Sequence, residues 1–348
     1  MGEESTKVHY QYFPQIDVLR FIALLMIIFN HTGFLATEGH GFFFTLSGFL
    51  ITHIAKNEIV KTGNFSFLKY MIRRYLRTLP LFFFIVISTF SCAYLIEINL
   101  DEEIKTGEFW PFLFLVNNYT SNDIIFSLGN LWAMGVTEQF YLIWGIFFLL
   151  FKEISNKLLG FCILISWLYV TCFWYFSEMN YPYTHTLTYL SSFGIGSYFA
   201  LLPFSYLNIF NKIKNASLYF SVFFHVLALL IISACFIWSL DGSLLFLLSK
   251  DSLLALSYSY IIFYQAYGKY NFFNLKKFPL LGYLGTISFG LYCYHAVVIV
   301  VLNQVLKKHG IHFPSYILMS IVLFSTCFIA HFSYQYFEKP ILKYKKLF

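Results

Sequence analysis

The sequence predicts an all-α protein that crosses a membrane about ten times, and three observations predict it. Hydrophobic residues make up 59% of the 348-residue chain and charged residues only 11%, against about 25% charged in an average soluble domain. So little charge cannot cover the surface of a water-soluble globule, and so much apolar surface does not stay disordered. The apolar residues gather in runs close to the 20 or so that cross a hydrocarbon core of ~30 Å. Lys and Arg collect in alternate connections between those runs.

The elements follow in order. The first span runs from about Ile16 to Phe34. The second apolar run, Gly41 to Ile54, is short and contains Gly41, Ser47 and Gly48, which predicts a broken or partly re-entrant helix. A basic loop covers Lys56 to Arg77, and the third span is Leu79 to Ile98. An acidic loop with Glu97, Asp101, Glu102, Glu103 and Glu108 leads through an Asn-rich, aromatic stretch to the fourth span, Leu131 to Phe151. Six more follow: Leu158–Phe176, Leu187–Phe204, Leu218–Leu240, Leu244–Tyr264, Leu280–Leu306 and Tyr316–Phe337. No repeat or low-complexity linker divides them, so one transmembrane domain over residues 1–348 is expected, without an appended soluble domain.

Charge sets the orientation. With the N-terminus inside, 19 of the 23 Lys and Arg residues fall in inner segments; Lys105, Lys307 and Lys308 fall outside, and Lys250 lies within a span. Both termini are therefore predicted to be cytoplasmic. The same distribution accounts for the net charge of +6 through short loops and lipid headgroups, and gives no reason to expect a nucleic-acid partner. The N-terminal stretch carries Glu3 and Glu4 and lacks the basic-then-apolar pattern of a cleaved signal peptide. All six cysteines sit in apolar segments without a CxxC, which reads as packing and not as disulfides. The histidines lack close ligand spacing, so no metal is expected.

Ionisable groups at membrane depth cost roughly 2.5–3.5 kcal/mol each on the insertion scale, so they point to function. The first span carries Asp17, Arg20 and His31. Arg20 and His31 are eleven positions apart, about 20° past three full helical turns, so they share a face at a separation of roughly 16 Å. Asp17 is placed to pair with Arg20. Taken singly, Arg20 would serve as a snorkelling anchor and His31 as a polar helix contact; their shared face suits a long anionic ligand with phosphates at the boundary and a reactive group inside. Arg73, Arg74 and Arg77 precede Pro80, where guanidinium forks would clamp phosphate oxygens as well as set topology. Glu138 lies inside the fourth span and needs a proton or a cation. His295 lies in Tyr292-Cys293-Tyr294-His295; with Ser47, Tyr292 and His295 are candidate substrate contacts. Lys250 and Asp251 read as a structural pair, His225 and His331 as packing residues, and His40 and His185 as loop residues.

Several segments together resemble acyltransferase family 3, the membrane-bound acyltransferases of bacterial surface glycans such as lipopolysaccharide O-antigen. IDVLRFIALLMIIFNH is similar to that family's first helix, with Arg20 and His31 at the Arg-x10-His spacing. GFFFTLSGFLIT, RRYLRTLP, LWAMGVTEQFYLIWG, ISFGLYCYHAVVI and YFEKP resemble five further family segments in family order. One departure is Thr137 before Glu138, where relatives often carry two adjacent acids.

The resemblance implies acyl transfer, by default acetyl, from cytoplasmic acetyl-CoA to a hydroxyl of a glycan or lipid-linked glycan at the bacterial cytoplasmic (inner) membrane. It implies His31 and Arg20 as essential and Arg74 and Arg77 as the basic pair. On this expectation Arg74 and Arg77, with Arg73 and Arg20, hold the coenzyme A phosphates. His31 acts as general base or as nucleophile, the base being favoured, and Glu138 orients it or the acceptor. The competing class is a multi-pass transporter or flippase, against which no matching pair of broken helices in two halves is seen.

Overall fold

The computed structural model describes residues 13–35, 39–100, 108–120, 126–153, 156–177, 182–205, 208–237, 243–270 and 277–347. Among them the chain forms α-helices, with short 3₁₀ turns and one π-helical turn, and no strand. Among the described residues, nine helical segments are long and apolar enough to cross a membrane. The protein is thus an all-α, multi-pass membrane protein. Most of the expected acidic loop, Asp101 to Glu103 included, lies outside the described residues.

In chain order the helices are α1 (Pro14–His31), α2 (Gly39–Thr62), α3 (Phe67–Leu100), α4 (Trp110–Leu113), α5 (Phe126–Gly129), α6 (Trp132–Phe151), α7 (Asn156–Phe176), α8 (Leu190–Leu201), α9 (Ile209–Lys214), α10 (Leu218–Ile237), α11 (Leu244–Tyr267), α12 (Pro279–Thr286), α13 (Ser288–His309), α14 (Ser315–Ser333) and α15 (Lys339–Leu342). α1 and α2 are sheathed by α8, α11, α12 and α13. By contrast α10 buries only Ser221, Ala228 and Cys235, and α14 only Val322, Thr326 and Ala330. Their remaining apolar side chains form the outer, lipid-suited surface, which needs no polar atoms because each helix satisfies its own backbone.

Three boundaries differ from expectation. The second run is one continuous helix, α2, that begins at Gly39 and not Gly41. It tolerates His40, His53 and Asn57 because they are buried against protein and hydrogen-bonded, not exposed to lipid. The expected basic loop is mostly helix: α3 starts at Phe67, carries Arg73, Arg74 and Arg77, and continues through Pro80. The ninth span is broken at Ile287 into α12 and α13.

The tightest crossing is between α2 and α8. A Cβ on Gly48 would lie 2.2 Å from the Phe193 carbonyl oxygen, and one on Gly196 2.1 Å from that of Thr45. Only hydrogen at both positions lets the backbones approach this closely. Beside the crossing, Trp144 Nε1 of α6 donates to Thr52 Oγ1 at 2.8 Å, Thr52 donates to Ser197 Oγ at 2.9 Å, and Ser197 donates to the Gly48 carbonyl at 3.2 Å. Phe193 then stacks on Phe140 with ring centroids 3.9 Å apart, so α2, α6 and α8 form one block.

Candidate active site

α1 ends where Thr32 Oγ1 donates back to the Ile28 carbonyl at 2.8 Å and Gly33 turns left-handed at φ +66°. His31 is therefore the last residue of α1, farther toward the helix end than a mid-span position. Its Nδ1 stands 2.9 Å from Nε2 of His295 on α13, with the two rings nearly parallel at 15°. His295 is fully buried, and its Nδ1 lies 2.6 Å from the Tyr292 carbonyl oxygen. A carbonyl only accepts, so His295 Nδ1 carries the proton and its Nε2 is the acceptor. His31 Nδ1–H must then donate to His295, which puts the lone pair of neutral His31 on Nε2. The relay from Tyr292 through His295 fixes which nitrogen of His31 is basic, as an orienting carboxylate does for other catalytic imidazoles.

His40 also joins this cluster, which corrects the expectation of a loop residue. The apolar run begins at Gly41, so sequence alone hides that the helix already starts at Gly39. Its ring centroid is 6.2 Å from that of His31 and 4.8 Å from the Trp132 ring, and the Tyr183 hydroxyl is 3.2 Å from its Nδ1.

Toward the start of α1 and in α3, the basic residues converge. A cavity of about 330 Å³ is walled by Arg20, Arg73, Arg74, Arg77 and Lys345, with Asp17 and Glu58 among its acids. Arg20 is paired with Asp17, as predicted, and Arg77 lies within electrostatic reach of Arg20, Arg74 and Asp17. Five cations around one hollow exceed what topology requires and give it the charge to attract a polyanion. Lys345 was missed as a site residue: it reads as part of a basic tail, and only the turn after α15 folds it back onto the cavity.

Two narrow chambers of about 40 Å³ each extend this cavity. The first is lined by Arg20, Ser47, Arg74, Arg77, Thr78 and Ser288 among others. The second shares Phe43, Arg74, Thr78 and Phe289 with the first and reaches His40 and Tyr292. The three spaces share walls in sequence, from the arginine cluster to His40, whose ring centroid stands 6.2 Å from that of His31. Ser47 thus stands beside the arginines. Tyr292 stands at the far end, its hydroxyl donating to the Asn130 carbonyl.

Glu138 is 3% exposed and sits beside Thr78, whose hydroxyl donates to its Oε1 at 3.1 Å. Arg74 is within electrostatic range of the same carboxylate, and its guanidinium lies 3.6 Å from the centroid of the Tyr141 ring. The structure thus sets Glu138 against Arg74 and Thr78, while the group hydrogen-bonded to His31 is His295. His225, His331 and His185 each bond a neighbouring hydroxyl or carbonyl away from this cluster.

A helical membrane protein that combines a basic cavity with a tautomer-locked histidine pair has the layout of a group-transfer enzyme. The family model described as an acyltransferase domain, that of acyltransferase family 3, matches residues 13–332, and the chain belongs to that family. It is 28% identical to the peptidoglycan O-acetyltransferase OatA of Listeria monocytogenes serovar 1/2a, over 98% of this chain and 57% of that protein. It is 30% identical to the putative peptidoglycan O-acetyltransferase YrhL of Bacillus subtilis strain 168, over 96% of this chain and 55% of that one. To the O-acetyltransferase OatA of Staphylococcus aureus strain NCTC 8325 the identity is 26%, over 96% and 58%. The chain therefore spans somewhat more than half the length of these relatives. No solved structure matches it.

Proposed function

We propose that the protein is a membrane O-acetyltransferase that takes acetyl from acetyl-CoA and delivers it to a hydroxyl of a cell-wall or surface glycan. The observation that carries this reading is a set of cavities with shared lining residues, from the five-cation hollow to the chamber that His40 lines beside the His31–His295 pair. Family membership and the names of the relatives support it. Those names direct the acceptor toward peptidoglycan sugars ahead of lipopolysaccharide O-antigen.

With both termini cytoplasmic, as loop charge indicates, the arginine cavity opens toward the cytoplasm of a bacterial inner membrane. The phosphates of coenzyme A sit among Arg20, Arg73, Arg74, Arg77 and Lys345. The pantetheine arm passes Ser47 and Thr78 to bring the thioester toward the histidines, near the outer end of α1. His31 Nε2 removes the acceptor proton as its oxygen attacks the thioester carbon. The C–S bond then breaks, and the protonated imidazole returns the proton to the leaving thiolate, giving an acetyl ester and coenzyme A. Glu138 holds Arg74 in place from behind the lane.

Purified protein in lipid nanodiscs, supplied with radiolabelled acetyl-CoA and a peptidoglycan glycan strand, is expected to move label into base-labile ester on the strand. Release of free acetate at the same rate with and without the strand would count against the reading, and label moved unchanged across a sealed vesicle would favour a transporter.

Arg77→Ala tests the donor end. Hydrogen bonds to charged groups contribute about 1.5–3 kcal/mol, so KM for acetyl-CoA is expected to rise roughly 10–100-fold, with kcat changed only a few-fold. Steady-state kinetics at two salt concentrations checks this, because the wild-type protein should lose more affinity to salt than the variant.

A further inference from the structure

We propose that His40 is a further catalytic residue, the hydrogen-bond donor that stabilises the oxyanion formed when the acceptor attacks the thioester. The proposal rests on the acetyl-transfer reading above and adds a group that neither the sequence nor the relatives assign.

Four observations converge. His40 is 5% exposed, so its polar atoms are removed from solvent. Its Nε2 is buried and has no hydrogen-bond partner among the described residues. Its ring lines the small terminal chamber, together with Arg74, Thr78 and Tyr292. Its other nitrogen, Nδ1, faces the Tyr183 hydroxyl at 3.2 Å. A phenol is a better donor than acceptor, and an imidazole nitrogen is the better base, so Tyr183 donates and Nδ1 accepts. The proton of neutral His40 therefore resides on Nε2. An unpaired buried N–H is costly, and such a cost persists most readily at functional positions.

The two imidazoles are thereby locked in opposite senses. His31 is held with a lone pair on Nε2 by His295, and His40 is held with a proton on Nε2 by Tyr183. Their ring centroids are 6.2 Å apart. The reacting carbonyl sits between them in this proposal, its oxygen at hydrogen-bond distance from His40 Nε2.

In the step itself the acceptor oxygen forms a bond to the thioester carbon while His31 takes its proton. The carbonyl π pair moves to oxygen, and that O⁻ accepts from His40 Nε2–H. The pair returns as the C–S bond breaks, the thiolate leaves and is protonated by His31, and His40 keeps its proton throughout. Arg74, on the wall of the same chamber, adds positive potential without entering the proton traffic.

The test compares the full chain in nanodiscs with its His40→Leu, His40→Gln and Tyr183→Phe variants, reading acetyl transfer from acetyl-CoA to a peptidoglycan strand and, separately, acetyl-CoA binding. Loss of one oxyanion donor lowers kcat by roughly 10²–10³-fold. His40→Leu is expected to show that loss with acetyl-CoA Kd changed less than about three-fold. His40→Gln, whose side-chain amide supplies an N–H in nearly the place of Nε2, is expected to recover at least ten-fold of it. Tyr183→Phe, which frees the tautomer, is expected to lose roughly ten-fold. A His40→Leu protein within two-fold of wild type overturns the proposal, as does His40→Gln no better than His40→Leu when both melt at the wild-type temperature. If His40→Leu does not fold, Tyr183→Phe decides: kcat equal to wild type overturns the proposal. Failure of the wild-type protein to transfer acetyl at all would instead remove the acetyltransferase reading.

Discussion

A His31→Ala protein is expected to bind acetyl-CoA as wild type does and to transfer almost none of its acetyl group. The arginine cavity lies roughly 16 Å along α1 from His31 by helix rise, so removing the imidazole leaves the phosphate contacts intact. Losing a positioned general base lowers the rate by roughly 10²–10⁴-fold. His295→Ala should cost less, because His31 keeps its own nitrogens but loses the bond at 2.9 Å that sets its tautomer. In the double variant the two losses should not add, since His295 acts through His31. Rapid-quench kinetics with labelled acetyl-CoA checks all three variants. The same measurement separates base from nucleophile: label held on wild-type protein and released by hydroxylamine would make His31 the acyl carrier.

Gly48→Val is expected to abolish the folded protein. Its Cβ would stand 2.2 Å from the Phe193 carbonyl oxygen and 2.9 Å from the Phe193 carbonyl carbon and Cα, all backbone of a packed helix. No side chain can swing aside, so α2 and α8 must separate. That separation breaks the Thr52–Ser197 bond and lifts Phe193 from Phe140, against which it stacks at 3.9 Å. Overpacking of this kind costs on the order of 3 kcal/mol or more where relaxation is blocked. Gly160→Ala is the matched control: nothing lies within 4 Å of its added Cβ. There the better helix propensity of alanine, worth up to about 1 kcal/mol, should leave stability equal or higher. Size-exclusion profiles and melting temperatures in detergent distinguish the two.

The helical membrane architecture was legible because spans announce themselves by length and composition, whatever packs against them. The alignment of Arg20 with His31 was legible for a similar reason: a rigid rod fixes the relation between two of its own positions. The arginine cluster was legible as guanidinium groups gathered ahead of Pro80, although they read as part of a loop. What stayed hidden depended on contacts between helices. The partner of His31 is set by how α1 meets α13. The place of His40 depends on a helix that starts two residues before its apolar run. Glu138 was visible as an acid in a span, but which cation it faces is decided by where α3 crosses α6. Lys345 looked like tail charge until the turn after α15 returned it to the cavity.

The hydrogen bond between His31 and His295 joins residues 264 positions apart. The first of them is synthesised long before the second. A polypeptide still emerging from the ribosome therefore carries Arg20, Arg73, Arg74 and Arg77 before the partner that fixes the tautomer of His31 exists. The histidine pair can close only once α13 has been made and has packed against α1.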